Sequence, residues 1–339
     1  MNLKRILISI LVLTLILLSG CKGKKDTTKA LEDVRIGTEG IVVSFVANNP
    51  PQKLVVEEST ENPIKVVLQM NNRGAYPQPK EGAAGLAPEL GRVYLSGYDK
   101  NIIDLPIKYS DISQLALEGK SSINPNGGVD FLTFDGKILA EVLNVEKYEP
   151  TLLATVCYGY VTVAGPQVCI DPDPYSTISQ KKVCQVQDVK LSSQGAPIAV
   201  TSITEEALAK RTQFRITIKN VGSGDVIKLE SFEKCNPFGV EKLGREDIDK
   251  VFIDEVKVSD TELLCSPFIE GSSESSRGYV RLINGEGTII CKLLSDQYAN
   301  TNTAYTTPLK IRMSYVYKIT SERKLQIKKE TSDLGRISS

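Results

Sequence analysis

The sequence predicts an all-β chain built as two tandem β-sandwiches, and three observations carry that expectation. Apolar and polar residues alternate over many short stretches, as in strands with one face buried and one face wet. Glycine and proline clusters punctuate those stretches, as they do between the strands of sandwiches. The strongest strand patterns also occur twice in the same order, the mark of an internal duplication.

The chain opens with Lys4 and Arg5 followed by an apolar run, Ile6 to Leu18, interrupted by Ser9 and Thr14. That run is short for a membrane span and has the layout of a signal peptide over residues 1–20. It ends in Leu18-Ser19-Gly20-Cys21, which resembles the lipobox of prokaryotic lipoproteins. The resemblance implies that Cys21 becomes the first mature residue and carries the lipid. It also implies that the mature chain sits on the extracytoplasmic face of a cell membrane. Residues 21–36 then form a tether in which Lys22, Lys24 and Lys25 can lie against anionic head groups.

Two copies of a β-rich unit follow, at 37–174 and 182–330, with a tail at 331–339. Val66, Leu68, Met70, Asn72 and Gly74 match Phe214, Ile216, Ile218, Asn220 and Gly222: a period-2 strand running into an Asn-x-Gly turn. Gly136, Ile138, Ala140 and Val142 match Gly287, Ile289, Cys291 and Leu293, and Leu152 to Tyr160 match Leu309 to Tyr317. The offset between matches only grows, as lengthened loops in the second copy would make it. Further strands are expected at Ile41 to Ala47, Lys65 to Met70, Arg92 to Leu95, Ala154 to Val163, Val183 to Leu191, Phe214 to Lys219 and Arg323 to Lys328. Asn49-Pro50-Pro51, Asn124 to Gly128 and Gly222 to Asp225 supply turns between them. Weak helical patterns at Asp111 to Leu117 and Glu241 to Val251 read as insertions.

The stretch Thr212 to Gly222, an alternating strand ending in Asn-x-Gly, resembles the tandem immunoglobulin-like modules of prokaryotic cell-surface proteins, those with an adhesion-type strand in particular. The resemblance implies two immunoglobulin-like sandwiches and a role in surface adhesion. Asp171-Pro172-Asp173-Pro174-Tyr175 would be the semi-rigid joint between them, and Asp171 and Asp173 are weak calcium candidates.

Composition narrows the chemistry. The chain has 41 basic and 41 acidic residues, so no net charge draws it to nucleic acid. It has no histidine, which removes Ser-His-Asp and Cys-His catalysis and imidazole metal sites. No cofactor motif is present: Gly222-Ser223-Gly224 lacks the third glycine of a phosphate cradle. Ser179-Gln180-Lys181-Lys182, Ser231 to Lys234 and Ser321 to Lys324 fit Ser-x-x-Lys, but without the partner motifs of penicillin-binding proteins. Tyr158, Tyr160, Tyr315 and Tyr317 read as inward core residues with hydroxyls at the rim rather than as the lining of a ligand groove.

Setting Cys21 aside, six of the seven cysteines remain: Cys157, Cys169, Cys184, Cys235, Cys265 and Cys291, an even set suited to disulfides in an exported chain. Cys157 and Cys169 fall on the wet side of an expected hairpin turning at Ala164-Gly165-Pro166 and would bridge it. Cys235 and Cys265 would close the charged insertion. That leaves Cys184 and Cys291, as a core bridge or as two thiols. These features predict a non-catalytic surface protein, adhesive or envelope-structural, with an unidentified surface protein or glycan as partner. The alternative is an extracytoplasmic solute or polysaccharide receptor, and a cell-wall enzyme is the weakest reading.

Overall fold

The computed structural model describes residues 35–58, 60–77, 90–176, 182–208, 210–270, 274–298 and 303–330. The leader, Cys21, Ser179 and the tail lie outside the described residues.

Strands are numbered β1 to β21 along the chain. One antiparallel ladder between the two copies organises the fold. β9 (Thr151–Ala164) pairs with β20 (Tyr305–Lys324) along its whole length. The ladder continues in the same register at both ends. β8 (Lys147–Tyr148) pairs with β21 (Gln326–Lys329), and β10 (Gln167–Ile170) with the start of β20. Partners thus run in one line from Lys147↔Lys328 to Ile170↔Tyr305. Pro150 and Pro166, which have no N–H to donate, mark the two interruptions, and the register does not slip at either.

The other strands build outward from this ladder. On one side of the nine-stranded sheet lie β4 (Gly91–Ser96) and β6 (Tyr109–Asp111). On the other lie β15 (Lys250–Val258) and β16 (Thr261–Glu262), with β14 (Asp225–Ile227) on β20 and β18 (Gly278–Arg281) on β15. A four-stranded sheet has the order β1 (Ile41–Phe45), β3 (Pro63–Asn72), β7 (Val129–Ile138), β5 (Ile103–Asp104). A five-stranded sheet has the order β11 (Val189–Lys190), β12 (Ile198–Leu208), β13 (Arg211–Asn220), β19 (Glu286–Leu294), β17 (Leu264–Ser266). Both smaller sheets pack on the large one: β1 meets β9 and β20, and β12 meets β9. β2 (Lys53–Val56) adds parallel to β21.

The all-β class and sandwich packing follow the sequence expectation, but separate cores at 37–174 and 182–330 do not. The described residues fall in one compact unit. A single cluster of buried apolar side chains runs from Ile41 to Ile327 and draws on both copies. In two detached sandwiches β9 and β20 would be long exposed edges, each a template for aggregation; pairing them removes both.

Strand pairing also corrects the alignment of the copies. Met70 pairs with Asp130, and its counterpart Ile218 pairs with Gly287. Gly287 is therefore equivalent to Asp130 rather than Gly136, and Cys291 to Phe134 rather than Ala140. Ile41↔Asn72 corresponds to Ile198↔Asn220, so the offset shrinks before it grows. The cause is the segment carrying β2, which the tight β12–β13 connection lacks. Only Val189–Lys190 of the strand expected at Val183 to Leu191 is extended in a sheet, and neither helical insertion forms a helix. The nearest helical turn is a 3-10 segment at Leu229–Cys235.

Candidate functional site

The repeated Asn-x-Gly turn and the tyrosines prove to be one buried device, made twice. Tyr158 pairs with Tyr317 and Tyr160 with Tyr315 on either side of Gly159↔Val316, where an approximate two-fold axis relates the copies. The Tyr160 hydroxyl donates to Asn72 Oδ1 at 3.2 Å and accepts from the Tyr76 N–H at 3.2 Å. Asn72 Oδ1 also accepts from the Gly74 N–H, and its Nδ2 donates to the Tyr76 carbonyl. In the second copy the Tyr317 hydroxyl donates to Asn220 Oδ1 at 3.1 Å and accepts from the Gly224 N–H at 2.7 Å. Asn220 repeats both turn contacts with Gly222 and Gly224. Glycine is required at the third position because a Cβ on Gly74 would collide with the Tyr160 hydroxyl, and one on Gly222 with that of Tyr317. Burial pushes the pKa of all four phenols up, so they stay neutral donors. This centre holds the fold and offers no groove.

All six cysteines among the described residues are bridged, but in pairings other than those expected: Cys157–Cys235, Cys169–Cys184 and Cys265–Cys291. Ala164-Gly165-Pro166 is no hairpin, because β9 and β10 run on along the same partner strand. Cys157 and Cys169 therefore lie far apart on one extended line, roughly 40 Å at about 3.4 Å per residue. Cys157 instead points to the outer face of the large sheet, where Tyr94, Ile227, Phe232 and Val316 form a second apolar cluster under the 3-10 segment. Its bridge to Cys235 pins that segment down. Cys265 and Cys291 are directly opposed on β17 and β19, with Cα atoms 4.0 Å apart.

Two other candidate sites resolve into structural contacts. Lys182 Nζ lies 2.6 Å from Asp171 Oδ2 and donates to the Asp173 carbonyl at 2.9 Å, so an ammonium occupies the place a calcium ion would take. Among the described residues no cluster of acidic and cysteine side chains could hold a metal. Ser231 donates to Asp247 Oδ1 at 2.6 Å, and Lys234 is bonded to the same carboxylate. Neither faces the other as nucleophile and base.

Among the described residues, two of the surface concavities gather side chains suited to holding a ligand. The first, of about 520 Å³, lies where the turn after β4 meets the segment leading into β6 and the loop after the 3-10 turn. Tyr109 and Phe238 stand half-exposed at its walls, 51% and 50% accessible. Lys100 and Lys108 line it, Lys108 Nζ lying 5.9 Å from the Phe238 ring centre. Arg92 anchors the Tyr109 wall: its guanidinium stacks on Tyr109 and Phe232 while pairing with Asp111 and Glu233. Tyr98 also lines the cleft, and its hydroxyl is buried without a hydrogen-bond partner. Sequence reading missed this cleft because most of its residues lie on loops or at strand ends with no periodic signal, and they come from both copies.

The second concavity, of about 370 Å³, opens between β10, β12 and the chain around Cys184. Glu205 projects into it from β12. Its carboxyl is raised to about 7 by burial, against which the Cys169 N–H works. A faint signal existed, a carboxylate on the row of Ile203.

No protein-family model matches the chain, and no curated protein matches it in sequence. Among solved structures, pT26-6p aligns over 92% of this chain and 71% of its own, with 8% identity and a TM-score of 0.21. The secreted serine protease VesC from Vibrio cholerae aligns over 86% and 52%, with 10% identity and a TM-score of 0.16. Likeness at that level carries no argument about fold or function.

Proposed function

We propose that the chain is a lipid-anchored extracytoplasmic protein that binds an anionic glycan at a cell surface without turning it over. The observation that carries this reading is the cleft between Tyr109 and Phe238. Exposed aromatic rings offer faces for sugar stacking, and Lys100 and Lys108 offer charge for carboxylated or phosphorylated units. The Leu18-Ser19-Gly20-Cys21 sequence supports the anchor, and three disulfides suit an oxidising compartment. No helix among the described residues is long and apolar enough to cross a membrane. We also read each copy as an immunoglobulin-like half, fused here with its neighbour.

The receptor alternative calls for two lobes closing on a hinge. The ladder from Lys147↔Lys328 to Ile170↔Tyr305 ties the copies rigidly instead, which favours an adhesive or envelope-structural role. The test is calorimetric titration with an oligogalacturonate and with its carboxyl-reduced neutral counterpart. The acidic form should bind, Phe238→Ala and Lys108→Ala should each weaken it about tenfold, and no product should appear. Equal affinity for the neutral form, or turnover, would overturn the reading. For the anchor, Cys21→Ala should either move the protein from the detergent phase to the aqueous phase on detergent partitioning or leave the leader uncleaved; unchanged partitioning with a normally processed N-terminus would remove lipidation from the account.

A further inference from the structure

We propose that the pocket between β10 and β12 binds an organic ammonium group, with Glu205 as its counter-ion. Glu205 lies in the inward-facing row of β12, directly across from Phe214 on β13, and is 6% exposed. Its Oε2 accepts the Cys169 N–H at 3.2 Å, while its Oε1 has no partner. An ionised Oε1 lacks a donor, and a protonated one would lack an acceptor, so neither state is satisfied by the protein alone.

The surroundings select the partner. Among the described residues Glu205 is the one charged residue lining the pocket; Gln167, Gln185, Gln187 and Thr306 supply amide and hydroxyl groups. A single negative charge balances a monovalent cation, whereas a divalent metal ion would call for further carboxylates. An ammonium carries three N–H donors, one for Oε1 and two for amide or hydroxyl oxygens. Val168, Val189 and the Cys169–Cys184 bridge form an apolar wall suited to the methylenes of a lysine-like amine. The volume, about 370 Å³, admits such a chain.

The fold does not itself demand a carboxylate at this place. At the opposite, symmetry-related end of the ladder the first copy has no equivalent of Glu205, since β1 stops at Phe45. There Arg323 packs on Phe45 and donates to the Val46 and Pro50 carbonyls, which closes that end.

The test uses the full chain with its disulfides intact, ¹⁵N-labelled, titrated at pH 8 with n-butylammonium chloride and separately with n-butanol. The Cys169 amide should shift saturably with the amine and not with the alcohol. Glu205→Gln should weaken the amine response at least tenfold, and Glu205→Asp should weaken it while keeping the preference for amine over alcohol. A wild-type protein that ignores butylammonium, or responds equally to butanol, would show that water alone fills the pocket and overturn the proposal. An undiminished response in Glu205→Gln would overturn it too. If Glu205→Gln does not fold, the amine-against-alcohol comparison on the unaltered protein still decides.

Discussion

Replacing Glu205 by Gln should remove a pH dependence of stability that the parent has. Burial raises the Glu205 carboxyl from its usual 4.5 to about 7, while the Cys169 N–H pulls the other way. The residues lining its pocket from β10, β20 and the Cys184 segment are uncharged, so no neighbouring charge there competes. The folded state therefore holds this proton more tightly than the unfolded chain. Protonation costs nothing below the unfolded value of 4.5. Above it the parent loses stability as pH rises, and the loss levels off beyond the folded value near 7. The gap between the two values corresponds to about 3 kcal/mol. Glutamine is nearly isosteric and does not titrate, so the variant's stability minus the parent's should grow by about 3 kcal/mol from pH 4.5 to pH 8. Urea unfolding of both proteins at the two pH values, disulfides intact, measures that difference while all other titrations cancel. A difference that stays constant between pH 4.5 and pH 8 would refute the reasoning and place the carboxylate in water.

Tyr160→Phe and Tyr317→Phe keep the ring packing but leave Asn72 or Asn220 and a backbone N–H short of a partner; each should cost about 1–3 kcal/mol in urea unfolding. A chain cut between 176 and 182 and expressed as separate halves should give neither half a cooperative transition, because each loses the partner of β9 or β20; mixing the halves should restore it, and circular dichroism during urea unfolding reads both outcomes. Opening Cys157–Cys235, which spans 78 residues of sequence, by Ser substitution at both positions should cost at most about 4–5 kcal/mol on the loop-entropy account. The same change should expose the chain after Leu229 to limited proteolysis, with cleavage near Phe238 seen by mass spectrometry and absent in the parent.

Sequence alone determined the features that are local. Alternation along Leu309 to Ile319 specified a strand and its buried face, because side-chain direction repeats every two residues whatever the strand pairs with. The Asn-x-Gly turn was legible twice, and its even cysteine set implied oxidation, because both are matters of residue type. What lies beside what was decided by the tertiary structure. The same alternation that marks β9 and β20 as half-buried fits an edge strand of a detached sandwich as well as the centre of a shared sheet. Only the chance to satisfy both backbones at once chooses the second. That choice straightened the expected Ala164-Gly165-Pro166 hairpin and so carried Cys157 away from Cys169. It also assembled the Tyr109–Phe238 cleft from two copies and brought Cys169 of one copy against Glu205 of the other. Each of these depends on contacts between residues distant in the chain, whose spacing along the sequence sets no limit on their distance in space.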